Sequence, residues 1–124
     1  PIEARAAYER ALELDPTFAD AHLNLGRHYH DLNELGKAEA HYREAVRHAP
    51  DDPTAHFNLG VLLEDRARKE EAILAYRQAI ARDAEYADAH YNLGLLLESL
   101  GRRSQAMTHL MTARTLYGGD ESDT

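Results

Sequence analysis

Apolar side chains recur three to four residues apart along most of the chain, with polar residues between them, and this spacing predicts helices. The predicted helices cover residues 2–14, 19–32, 37–48, 53–66, 71–82, 87–100 and 104–116. Pro16 and Pro50 stand where a helix must stop, because proline disfavours helical geometry in the residue before it. The predicted turns contain Asp15-Pro16, Asn33 to Gly36, Pro50 to Pro53, and Gly101. Leu25, Leu59 and Leu93 form one apolar stripe, each followed directly by a glycine, Gly26, Gly60 or Gly94. A glycine inside a helix costs about 1 kcal/mol against alanine. That cost is tolerable where a second helix comes close, and the alanines of the following helix are the predicted partners. Residues 118–124 have no apolar anchor and are predicted to form a disordered acidic tail.

The pattern repeats. Gly26, Gly60 and Gly94 are spaced 34 residues apart, and so are His22, His56 and His90, and Ala21, Ala55 and Ala89. Ala38, Ala72 and Ala106 keep the same period, as do Ala45, Ala79 and Ala113. Tyr8, Tyr42 and Tyr76 run in step, with Leu110 in the last slot. A period of 34 with small residues, glycine and an aromatic in these slots resembles the tetratricopeptide repeat (TPR) family over residues 1 to about 117. The resemblance implies an all-α fold, a right-handed superhelical α-solenoid of antiparallel helix pairs. Residues 1–18 would be the second half of a repeat, followed by repeats at 19–52, 53–86 and 87–117. The match weakens toward the C-terminus, with Ala84 and Gly118 in proline slots and Leu110 in the aromatic one. Arg114 takes the slot of Leu12, Val46 and Ile80, which suggests that the stack ends there.

In this family the first helix of each repeat lines a concave groove that holds protein ligands. Carried over slot by slot, the lining is Asp20, Leu23, Asn24, Arg27, His30 and Asp31, then Thr54, Phe57, Asn58, Val61, Glu64 and Asp65, then Asp88, Tyr91, Asn92, Leu95, Glu98 and Ser99. Asn24, Asn58 and Asn92 would form a ladder of amides, each with a donor and an acceptor for the backbone of an extended peptide. Leu23, Phe57, Tyr91, Val61 and Leu95 would form an apolar strip beside it. The carboxylates of Asp20, Asp31, Glu64, Asp65, Asp88 and Glu98 outnumber Arg27, so a basic or basic-apolar segment is the expected complement. The family's carboxylate-clamp positions correspond to Leu23, Arg27, Asn58, Asp88 and Asn92; only Asn58 fits, which argues against a chaperone-tail adaptor.

Composition narrows the chemistry. Of 124 residues, 44% are apolar and 29% charged, which suits a small helical stack with a polar surface. The net charge of −8 opposes binding to nucleic acid, since phosphates would repel it. No run approaches the ~20 apolar residues of a membrane helix. Pro1-Ile2-Glu3 opens directly into a helical pattern and not into a signal peptide, so a soluble, cytoplasmic protein is the expectation. There are no cysteines. The histidines His22, His56 and His90, one repeat apart, would sit ~10 Å from each other, too far to share a zinc ion. No metal, cofactor or catalytic constellation is expected. The leading functional expectation is therefore a non-catalytic scaffold that binds a protein or peptide in its groove. Self-association through the terminal helices (Tyr8, Leu12 and Leu14 at one end; Leu110, Met111, Leu116 and Tyr117 at the other) and service as the targeting arm of a larger enzyme are the alternatives.

Overall fold

A computed structural model describes residues 2–118. They form seven helices: α1 (Ile2–Leu14), α2 (Ala19–Asp31), α3 (Leu35–His48), α4 (Pro53–Asp65), α5 (Lys69–Arg82), α6 (Ala87–Ser99) and α7 (Arg103–Leu116). The helices α2–α3, α4–α5 and α6–α7 pair as hairpins, and each hairpin packs on the next through α3–α4 and α5–α6, with α1 against α2. α2 also reaches α4 directly. The result is an α-solenoid of antiparallel helix pairs. Among the described residues there is no strand, and no helix is long and apolar enough to cross a membrane.

The turns inside the first two hairpins are one residue shorter than the sequence pattern predicted, the third is as long as predicted, and α3, α5 and α7 begin one or two residues early. The middle residue of each turn adopts a left-handed backbone: Asn33 (φ 59°), Ala67 (φ 61°) and Gly101 (φ 78°). The next amide then reaches back to the last turn of the preceding helix, as Glu34 to Tyr29, Arg68 to Leu63 and Arg102 to Leu97, each at 2.9 Å. This closure satisfies carbonyls that a helix end leaves unpaired, and in each hairpin it takes three residues, 32–34, 66–68 and 100–102. Gly118 (φ 84°) closes α7 in the same backbone conformation, with its amide on the Thr115 carbonyl; it belongs to that turn and not to the predicted tail, whose residues 119–124 lie outside the described ones.

Between hairpins a different turn recurs. The side chain of Asp15 accepts from the Thr17 amide at 3.0 Å, and Asp83 accepts from Glu85 at 3.0 Å. Asp52 caps α4 by accepting from Thr54, with Pro53 in the first turn, where its missing N–H costs nothing. His22, His56 and His90 are buried and pin these turns through Nε2 to the carbonyls of Pro16 (2.8 Å), Pro50 (2.9 Å) and Ala84 (2.9 Å). A carbonyl only accepts, so each Nε2 carries the hydrogen. Ala84 supplies its carbonyl as well as a proline would, which explains how that slot tolerates the change.

The alanine series Ala38, Ala72 and Ala106 is almost wholly buried, as is Ala45, Ala79 and Ala113. The nearest atoms to the glycines, however, are not those of these alanines. A Cβ on Gly26 would lie 2.5 Å from the Tyr42 ring, on Gly60 2.7 Å from Tyr76, and on Gly94 2.6 Å from Leu110. What comes close is therefore the side chain in the aromatic slot of the partner helix, Tyr42, Tyr76 or Leu110, which fills the space where the glycine has no side chain. Tyr42 and Tyr76 are among the largest fully buried side chains, so this contact sets the depth of the core.

Candidate functional site

The first helices of the three hairpins, α2, α4 and α6, carry the predicted groove residues, and the structure sorts these into three groups. Asp20, Arg27, Asp31, Asp65, Asp88, Tyr91, Leu95, Glu98 and Ser99 are exposed. Asn24, His30, Thr54, Phe57, Asn58, Val61, Glu64 and Asn92 are half-buried. Leu23 is 8% exposed and joins the continuous core, so it offers no anchor to a ligand. The apolar strip is not uniform for a physical reason: its slot faces the seam with the following repeat. Phe57 packs on Tyr86 of the next turn (ring centroids 4.9 Å apart) and on Tyr76 (5.8 Å), and Val61 also packs against the core. Tyr91 and Leu95 occupy the same slots in the last hairpin and are 45% and 42% exposed. Tyr117 meets Tyr91 edge-on and donates its hydroxyl to Asp88, a bond that pushes the Tyr117 pKa up to about 12.

Beneath the exposed acids lies a polar layer that the slot pattern did not reveal. The buried hydroxyl of Tyr76 donates to Glu64 and accepts from the Asn92 amide. Burial raises the pKa of Glu64, a shift that the Tyr76 hydroxyl opposes and the neighbouring Asp65 charge reinforces. One repeat earlier the same slots hold Tyr42 and His30. There His30 donates Nε2–H to Asp65 at 2.6 Å across the seam between hairpins, and its Nδ1 lies 3.5 Å from the Tyr42 hydroxyl. Burial pushes the Tyr42 pKa up to about 12. Of the asparagine ladder, then, Asn92 is tied to a core tyrosine, while the buried Nδ2 of Asn58 has no partner among the described residues.

Two further groups lie outside the groove. Glu39 of α3, 12% exposed in its side chain, accepts from Arg43 (2.8 Å), Arg66 (3.0 Å) and Arg68 (2.6 Å). Burial alone would raise its pKa, but the guanidiniums of Arg43 and Arg68 hold it below the usual glutamate value. The buried histidines are also paired across the hairpin: His22 Nδ1 to His41 Nδ1 at 3.1 Å, and His90 Nδ1 to His109 Nδ1 at 3.0 Å. His22, Glu44 and His48 bring three potential metal-ligand atoms within 4.8 Å of one another. The same-slot comparison of histidines one repeat apart left out these pairings, because the partners occupy different slots.

Comparisons with known proteins agree with this architecture. A family profile described as tetratricopeptide repeat matches residues 3–53 and again 31–76, one described as TPR repeat matches 68–101, and another tetratricopeptide repeat profile matches 87–117. Among solved structures, a crystal structure of MamA superposes with a TM-score of 0.85 at 30% identity, over 93% of this chain and 67% of that one. A second crystal structure of MamA protein gives 0.84 at 30% identity, over 93% of this chain and 63% of that one. A MamA double mutant (RS-1 ArsTM) gives 0.84 at 22% identity over 95% and 66%, which speaks to the fold alone. The chain spans about two thirds of the length of these structures. No curated protein matches the sequence.

Proposed function

Because the chain belongs to the tetratricopeptide repeat family, whose members are protein-interaction scaffolds, we propose that it binds an extended, basic or basic-apolar protein segment along the face made by α2, α4 and α6. The observation that supports this reading is the run of exposed carboxylates Asp20, Asp31, Asp65, Asp88 and Glu98 on those helices, against the exposed guanidinium of Arg27. Charge of one sign along a groove selects and steers a segment of the other sign. Tyr91 and Leu95 supply apolar area at one end of that run, where a side chain can be desolvated. Of the three amides, half-buried Asn24 is the one left to meet a ligand backbone, since the Asn58 Nδ2 is buried and Asn92 is tied to Tyr76.

The test is a titration by fluorescence anisotropy with labelled peptides of equal length, one lysine- and leucine-rich, one neutral and one acidic. The basic peptide should bind best, weaken as salt rises, and weaken further against the Asp20→Asn/Asp31→Asn/Glu98→Gln variant. Equal binding of all three peptides, or an unchanged affinity in the variant, would overturn the reading. A second reading, association of copies through the last hairpin, is favoured by the exposure of Met107 (56%), Met111 (57%) and Tyr117 (56%) on or beside α7. A mass that rises with concentration and falls back in a Met107→Ser/Met111→Ser variant would support it.

A further inference from the structure

The histidines of the first hairpin form more than a turn latch. On α3, His41, Glu44 and His48 follow at i, i+3 and i+7, which puts all three on one face of that helix. That face meets His22 of α2. The His22 and His41 Nδ1 atoms are 3.1 Å apart, the His48 ring stacks on His22 at 6.0 Å and 18°, and His48 Nε2 is 3.7 Å from Glu44. With Nε2–H of His22 committed to the Pro16 carbonyl, its Nδ1 is left as the lone-pair atom. A ligand histidine is usually fixed in this way, with one nitrogen donating to a backbone carbonyl and the other turned to the metal.

We propose that His22, Glu44 and His48 bind one transition-metal dication of the zinc class, with His41 placed to take a fourth position. Imidazole and carboxylate are the ligand types such ions take, and two imidazoles with one glutamate make a known tetrahedral set. Two ligand atoms on one zinc, each at about 2.0–2.1 Å, lie about 3.3 Å apart, close to the His22–His41 separation. Ligand atoms already within 4.8 Å need only side-chain rotation to converge, and the Glu44 side chain is 40% exposed and His48 17%, which leaves them room and an entry path.

The other hairpins act as built-in controls. The last one repeats the paired histidines, His90 and His109, and the latch to the Ala84 carbonyl, but Thr112 and Leu116 stand where Glu44 and His48 would be. The middle one has Ala75, Gln78 and Arg82 in the three α3 slots, and Arg82 donates instead to the Pro50 carbonyl. Among the described residues, therefore, the full set of donors comes together in the first hairpin, and what it adds to the geometry shared with the last is Glu44 and His48.

The experiment is calorimetric titration of the full chain, free of any histidine tag, with zinc chloride, and in parallel with cobalt chloride followed by visible absorption. We expect saturable binding of one equivalent, a cobalt spectrum of tetrahedral intensity, and a rise in melting temperature. Loss of an outer-shell partner alone weakens metal sites by about 10–100-fold, so Glu44→Gln and His48→Gln should each weaken binding by at least about tenfold. Circular dichroism checks that both variants stay folded, which their partial exposure allows. His109→Gln should leave the affinity unchanged. No saturable zinc binding, or binding that survives the Glu44→Gln/His48→Gln double variant, or binding lost equally in His109→Gln, would each overturn the assignment.

Discussion

Two glycines in this chain should answer the same substitution in opposite directions. Gly36, near the start of α3, has open space: an added Cβ would meet only the Arg66 guanidinium at 3.9 Å, an ordinary contact. Gly36→Ala should then gain the helical preference of alanine, about 0.5–1 kcal/mol. Gly60 would gain a similar amount from propensity, but its Cβ would fall 2.7, 2.8 and 3.1 Å from three ring atoms of Tyr76. Carbon atoms rest at about 3.5–4.0 Å, so the ring must retreat by nearly an ångström. Tyr76 is 1% exposed and its hydroxyl is bonded to Glu64 and Asn92, so the ring has nowhere to go without losing those bonds. Overpacking of this kind costs about 1–3 kcal/mol, and a weakened hydrogen bond adds about 1. Set against the propensity gain, Gly60→Ala should lose about 1–3 kcal/mol. Urea denaturation followed by circular dichroism measures both variants on one scale, and each kcal/mol corresponds to roughly 3–6 °C in melting temperature. If Gly60→Ala proves as stable as the parent chain, or moves with Gly36→Ala, then the ring contact does not set the fit between paired helices.

Three other outcomes follow from the same geometry. Ala67 holds a left-handed backbone that its neighbours in the slot give to Asn33 and Gly101; Ala67→Gly should stabilise by about 0.5–1 kcal/mol in the same urea titration. Glu64 has a pKa raised above 4.5 mainly by burial, so its protonated form favours folding below that value and the benefit is lost as pH rises through the raised pKa. Glu64→Gln should therefore melt above the parent at neutral pH and converge with it below about pH 4.5. His109 is held below 6.5 by burial first, then by the charges of His90 and Arg77. Stability should decline as pH falls below about 6.5 toward that lowered pKa, and His109→Gln should flatten melting temperature against pH in this range.

How much of this was legible in the sequence depended on whether a contact keeps the period. The helices and their pairing were visible because glycine, alanine and aromatic slots recur every 34 residues. The tight hairpin turn was not, since Asn33, Ala67 and Gly101 share a backbone angle and no side-chain chemistry. Leu23 was placed in the groove by analogy of slot, yet a seam slot is buried or open according to whether another repeat covers it, which a single slot does not encode. Glu39 with Arg66 and Arg68 was missed because the cluster does not recur: Arg68 has Arg102 one repeat on, but Ile73 and Leu100 replace Glu39 and Arg66. The His22–His41 and His22–His48 contacts cross between slots and so escape any comparison made along one slot.

The Glu39 cluster also makes the stack uneven. One seam, between the α2–α3 and α4–α5 hairpins, is fastened on one side by a shielded carboxylate that holds two guanidiniums from across the gap, and on another by His30 and Asp65. The next seam has Arg102 on Glu70, whose side chains are 41% and 67% exposed and open to competing ions. In a linear array each unit holds only its neighbours, so unequal fastenings decide where it gives way first. As salt screens the exposed pair, the last hairpin should loosen on its neighbour before the first two part. The chain thus resembles a stiff handle with a looser jaw, and the exposed Tyr91 and Leu95 ride on the jaw.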